Sequence, residues 1–167
     1  RSQLLKDMVL HQFDSTGLSV PQVNQEYSFH FSEGVFQFLF CKENGSHGQK
    51  DAVIYDKSLL AHLFKEILTP LCHDVEYYFF NHRFCFLLNY ASGRSIAVNS
   101  ALKSLFQNIP NALSLCSCQP FTLAVGTPVT QISALCQAFH SADCSLNRRF
   151  FKGTSQILPP VIQSSSI

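Results

Sequence analysis

The sequence predicts an α+β domain: one mixed, mostly antiparallel sheet with helices packed on it. Three observations carry that prediction. Of the 167 residues 46% are hydrophobic, sixteen of them Phe, which is enough apolar mass for a core. Several short segments are apolar at every position, as strands buried on both faces are. Segments of helical period alternate with them along the chain, which implies helices laid against the sheet.

In chain order, residues 1–12 read as a short helix, with Leu4, Leu5, Met8 and Val9 at helical spacing and Gly17 and Pro21 ending it. Leu5, Met8 and Val9 lie at a chain end, so they are a candidate association surface as well as a candidate core face. Residues 35–41, VFQFLFC, predict a buried central strand, followed by a polar loop at 44–48. Asp56 is a candidate N-cap for a helix whose apolar residues are Leu59, Leu60, Leu63, Phe64, Ile67, Leu68 and Leu71. Residues 75–80 and 83–89 predict two strands joined by a turn at Asn81-His82. Both are apolar on both faces, which predicts cover above and below.

A helix over 95–108 follows, burying Val98, Leu102, Leu105, Phe106 and Ile109, with Pro110 ending or kinking it. Residues 121–125 form a strand closed by Gly126-Thr127-Pro128. Thr130 is the candidate cap of a helix running to about Phe151, with Ile132, Leu135, Phe139, Leu146 and Phe150 as its seam and Gly153 as its stop. Residues 156–158 suit a short edge strand, and Pro159-Pro160 with Ser164-Ser165-Ser166 read as a linker.

Composition narrows the function classes. A net charge of +1 argues against a dedicated nucleic-acid surface on this segment. No apolar run reaches the roughly 18 residues of a membrane span, so no membrane contact is expected. The seven Cys are odd in number and sit mostly in apolar segments, as Cys41 and Cys85 do. That pattern predicts reduced thiols and a cytoplasmic location.

Catalytic signatures are missing. There is no phosphate loop, no G-x-G-x-x-G, no G-x-S-x-G and no H-E-x-x-H in the sequence. No catalytic residue, cofactor or metal is therefore expected. Cys116-Ser117-Cys118 lacks the second pair that structural zinc normally requires. Cys136, His140 and Cys144 are spaced to share a helix face, but they flank the apolar seam and read as structural. His82 reads as a solvated turn residue, and Arg148-Arg149 as cations at a helix C-terminus.

The last third of the chain carries a family likeness. Leu123-Ala124-Val125-Gly126 leads by a short turn to Ile132, then come Ala138-Phe139-His140-Ser141-Ala142 and Arg149-Phe150-Phe151-Lys152-Gly153. This order resembles the segment before the DNA-binding helices of AraC-type response regulators and their membrane-sensor relatives. Leu4 to Leu10 resembles the helix that opens such segments. Asn24-Gln25-Glu26-Tyr27 with Phe31-Ser32-Glu33-Gly34-Val35-Phe36 resembles their entry into the first strand, and Phe86-Leu87-Leu88-Asn89-Tyr90 their "L-L-N-Y" strand. Cys144-Ser145-Leu146-Asn147 departs from the usual Ala-Leu step, and the acid of the "E-A" pair is missing.

The resemblance implies a degenerate GGDEF, or nucleotidyl-cyclase-like, domain. Active GGDEF enzymes carry glycines and acids in the hairpin turn, for close backbone approach to nucleotide and for metal. Here that turn reads Asn81-His82-Arg83-Phe84, and Glu43, placed just after the first strand, is the one acid near it. One acid does not hold two magnesium ions and a triphosphate, so the resemblance implies a domain that is not an enzyme.

The expected organisation is a connecting helix and linker at 1–23, a degenerate GGDEF-like regulatory domain at 24–158, and at 159–167 a linker toward a DNA-binding domain outside the fragment. The expected function is signal relay and dimerisation within a bacterial AraC-type two-component response regulator. Its partners would be a second copy, or a sensor or receiver domain in the same chain. DNA would be reached only through the C-terminal helix-turn-helix domain. The alternative is a small-molecule or nucleotide-sensing domain of such a regulator.

Overall fold

Strand β1 (Val35–Glu43) is the central strand, and everything else is arranged about it. On one side it pairs antiparallel with β3 (Arg83–Tyr90), from Val35 opposite Tyr90 to Lys42 opposite Arg83. On the other it pairs antiparallel with β4 (Phe121–Val125). Strand β2 (Asp74–Phe80) lies antiparallel outside β3, and β5 (Gln156–Leu158) lies parallel outside β4. The order is β2-β3-β1-β4-β5, a mixed and mostly antiparallel sheet of the expected α+β class. The computed structural model describes residues 3–10, 13, 17–43, 57–80, 83–112, 121–147 and 156–158.

Alternation along the strands sends side chains to two separate cores. Phe36, Phe38, Phe40, Cys85 and Leu87 face a layer made by α1 (Gln3–Val9), α2 (Val20–Tyr27) and α5 (Leu135–Asn147). Leu39, Cys41, Phe84, Phe86 and Leu88 face α3 (Lys57–Leu68) and α4 (Ser95–Ala112). Covering both faces is why these strands are apolar throughout. All positions of β3 are buried, whereas most of β2 is only half-buried. The expectation that both hairpin strands are fully covered therefore holds for β3 alone, because β2 is an edge strand.

The N-terminal region differs most from expectation. Leu4, Leu5 and Met8 of α1 are buried in the same core as Phe36 and Phe38, and Val9 packs half-buried beside them. Pro21, expected to end a helix, instead stands at the start of α2. The Ser19 hydroxyl accepts the Gln22 N–H at 3.4 Å, and the Gln22 side chain accepts the Ser19 N–H at 2.7 Å. This is a capping box with proline in the first turn, a combination that starts helices. The boundary expected after residue 23 thus falls inside α2, and Val23 is part of the shared core.

Other boundaries shift less. Helix α3 ends at Leu68 in a 3-10 turn, Thr69–Leu71, and Leu59 is 44% exposed rather than on the apolar face. Helix α4 continues past Pro110 to Ala112. A 3-10 turn, Ile132–Ala134, leads into α5, and its N-cap is Gln131 rather than Thr130. The expected features at Asp56, residues 44–48, Phe150, Phe151, Gly153 and Pro159 onward lie outside the described residues.

Between α2 and β1 the backbone makes few ladder bonds of its own, and side chains replace them. Asn24 accepts the Phe31 N–H at 2.9 Å and donates to the Phe31 carbonyl at 2.8 Å. Asn89 does the same to Ser32, and Asp74 accepts the His30 N–H at 2.9 Å. Gly34 closes the segment at φ +153, with its backbone so near β3 that a Cβ there would lie 2.5 Å from the Tyr90 carbonyl oxygen.

Candidate functional site at the hairpin end

Phe80 stands opposite Arg83, so two residues connect β2 to β3; Asn81 and His82 themselves lie outside the described residues. Arg83 and Phe84 are strand residues and point to opposite faces. Phe84 is buried toward α3 and α4, where its ring meets Phe79 edge-on at 4.8 Å and stacks on Phe86 at 5.7 Å. Arg83 turns toward α5, and its Nη1 donates to Asp143 Oδ1 at 2.7 Å. The Arg83 side chain is 10% exposed and that of Asp143 28%. A charge-assisted bond of this length is strong, yet Nε of the same guanidinium is buried with no acceptor. Lys42 lies directly across from Arg83 on β1. Glu43 is the last residue of β1, not a residue beyond it, and pairs in register with Phe121.

The site is therefore cationic. Arg83 is bonded to Asp143 and stands in register with Lys42, and two basic residues with one carboxylate suit an anion better than a metal ion. Among the described residues no group of three or more His, Cys, Asp or Glu is placed to hold a metal. Of the cysteine-histidine trio on α5, Cys136 is half-buried with Sγ 3.6 Å from the Phe13 carbonyl, while His140 and Cys144 are exposed. Cys116, Cys118, Arg148 and Arg149 lie outside the described residues.

Burial governs the thiols nearby. It pushes Cys41 up to about 12 and Cys85 well above the usual thiol range, the latter helped by the Asp143 charge. Neutral thiols of this kind are poor nucleophiles at physiological pH.

Leu5 and Met8 are not on offer to a partner, since they are 0% and 2% exposed within the chain's own core. That corrects the association surface read from the sequence: a stripe three turns or fewer in length needs a core to be stable, and this one has it. The exposed large hydrophobics among the described residues are Leu10, Leu59 and Ile96. Leu59 lines an open depression with Ser58, His62, Lys65 and Tyr77, where the Lys65 ammonium stands 5.7 Å from the Tyr77 ring centre.

Sequence reasoning passed over Asp143. It was the single acid between residues 126 and 147, inside an apolar seam, and a lone acid there needs a partner. No family model matches the chain, and comparison with curated proteins and with solved structures finds no significant match. Among the described residues no helix is long and apolar enough to cross a membrane.

Proposed function

We propose that the chain is a non-catalytic signal-relay and dimerisation module of an AraC-type transcription regulator, built on a degenerate GGDEF-like scaffold and working in the cytoplasm. The observation that carries this reading is the state of the hairpin end. A cyclase-like domain would place acids there; here Arg83 opens β3 and its guanidinium is bonded to Asp143. The residues behind the resemblance have structural work instead: before β1, Asn24 bonds the Phe31 backbone, Asn89 bonds the Ser32 backbone, and Gly34 lies against Tyr90. DNA would be bound by a domain that follows this one, and the input would come from a receiver or sensor that precedes it.

Light scattering across a concentration series, run beside an assay of GTP turnover with magnesium and with manganese, tests the proposal. A concentration-dependent dimer without turnover supports it. Turnover sinks the non-catalytic half, and a strict monomer sinks the dimerisation half.

A second reading, ligand sensing, draws on the depression formed by Ser58, Leu59, His62, Lys65 and Tyr77. A nucleotide that binds there raises the melting temperature as its concentration rises, and a Lys65→Ala variant loses that rise.

A further inference from the structure

We propose that the hairpin end of the sheet is a binding site for a small oxyanion, a phosphoryl or carboxylate group, held by Arg83 and Lys42. Residues directly opposite on antiparallel strands point to the same face. The register therefore makes one row of Phe80, Arg83, Lys42 and Thr122, on the side covered by α5. Two cations stand side by side in that row. Like charges in directly opposed positions destabilise a sheet unless a counter-charge joins them.

Asp143 supplies one such charge, and Arg83 Nη1 uses it at 2.7 Å. Among the described residues no acid pairs with Lys42, which is half-buried. Arg83 Nε is buried without an acceptor, and a buried donor left unmade is costly. The site thus has a surplus cation and an unused N–H of a planar fork on directly opposed residues of one row. An oxyanion answers both, because its oxygens accept from the fork while its charge separates the two cations. The Asp143 side chain is 28% exposed, so solvent reaches the ion pair from its side.

The test is thermal unfolding of the chain in inorganic phosphate and, separately, in acetate, each against chloride at the same ionic strength. The expected result is a saturable rise in melting temperature with one of the two anions, and which one responds tells a phosphoryl site from a carboxylate site. Lys42→Gln, verified as folded by circular dichroism, is expected to bind about tenfold more weakly, the effect of one lost charged contact. Asp143→Asn leaves the buried Arg83 charge without its partner, so it too is verified as folded by circular dichroism; folded, it lacks the competing carboxylate and is expected to respond at lower anion concentration. The proposal is overturned if neither anion exceeds chloride, if Lys42→Gln responds as the parent does, or if Asp143→Asn responds more weakly. Arg83→Gln is not relied on, since it removes the anion's own donor and breaks the ion pair at once, so a lost response would not tell binding from folding.

Discussion

Asn89 of β3 and Ser32, which is not in a strand, are joined as two strands are: the Asn89 side chain accepts the Ser32 N–H at 2.8 Å and donates to the Ser32 carbonyl at 3.0 Å. A further bond from the same amide reaches the Val35 carbonyl at 3.2 Å. One residue earlier, Asn24 treats Phe31 in the same manner. Two carboxamides from different elements thus hold consecutive peptide units of one loop.

Replacing Asn89, which is 0% exposed, removes three bonds to backbone groups, one of them at the buried Val35 carbonyl. Asn89→Ala is expected to cost about 2–4 kcal/mol in urea unfolding. Asn24→Ala, at a less buried site, is expected to cost about 1–2 kcal/mol. The double variant should lose less than the sum, because each single change already loosens the loop. Additive losses would show that the two clamps act separately.

Tyr90 donates to Gln37 Oε1 at 2.7 Å, and Gln37 Nε2 donates to the Gly126 carbonyl at 2.9 Å. Tyr90→Phe leaves the Gln37 oxygen buried without its donor. The expected loss is about 1–3 kcal/mol. Gln37→Leu removes that oxygen together with the bond to Gly126, so the check is a double-mutant cycle: a coupling of about 0.5–3 kcal/mol between Tyr90→Phe and Gln37→Leu assigns the loss to the Tyr90–Gln37 bond.

Leu5→Ala and Met8→Ala are expected to destabilise by about 2–5 kcal/mol each, the range for deleting buried side chains. Ile96→Glu, at a site 82% exposed, is expected to leave stability within about 0.5 kcal/mol. If light scattering finds a dimer, Ile96→Glu is the substitution that can weaken association without damaging the fold. Stability unchanged by Leu5→Ala would contradict the placement of α1 in the core.

Alkaline pH provides a thiol-specific test. Cys41 is raised from 9.0 to about 12 by burial. Below pH 9 the thiol is neutral in both folded and unfolded chains, and stability is indifferent to it. Above that the unfolded chain ionises while the folded one does not, so stability falls with rising pH until about 12. The slope due to this thiol is about 1.4 kcal/mol per pH unit, and Cys41→Ala is expected to remove it. At neutral pH, alkylation followed by peptide mass analysis should label the exposed Cys144 long before Cys41 or Cys85.

Much of the architecture was legible because the core is written in period. The run from Val35 to Cys41 and the seam of Ile132, Leu135, Phe139 and Leu146 reported strand and helix directly, since each residue's face follows from its spacing. The two-residue hairpin was legible from where the apolar runs stop. Helix α2 hides from a sequence reading for an identifiable reason: Pro21 reads as a breaker, although Ser19 and Gln22 around it spell a capping box. The role of α1 was open because an apolar stripe does not say which surface covers it. At the hairpin end, Arg83 was visible but Asp143 was not, since their pairing spans a sequence separation of 60 and depends on how α5 crosses the sheet.

The place of β1 between β3 and β4 also bears on how the chain is made. Among the described strands of this sheet β1 is made first, yet the two strands that bond its edges lie downstream, beginning at Arg83 and at Phe121. Until both arrive, a stretch rich in Phe is exposed with open edges on each side, the kind of segment that seeks any other strand in reach. Expression yield should therefore respond to temperature and chaperone supply, and more sharply to changes in β3 and β4 that delay pairing than to equal losses of stability elsewhere.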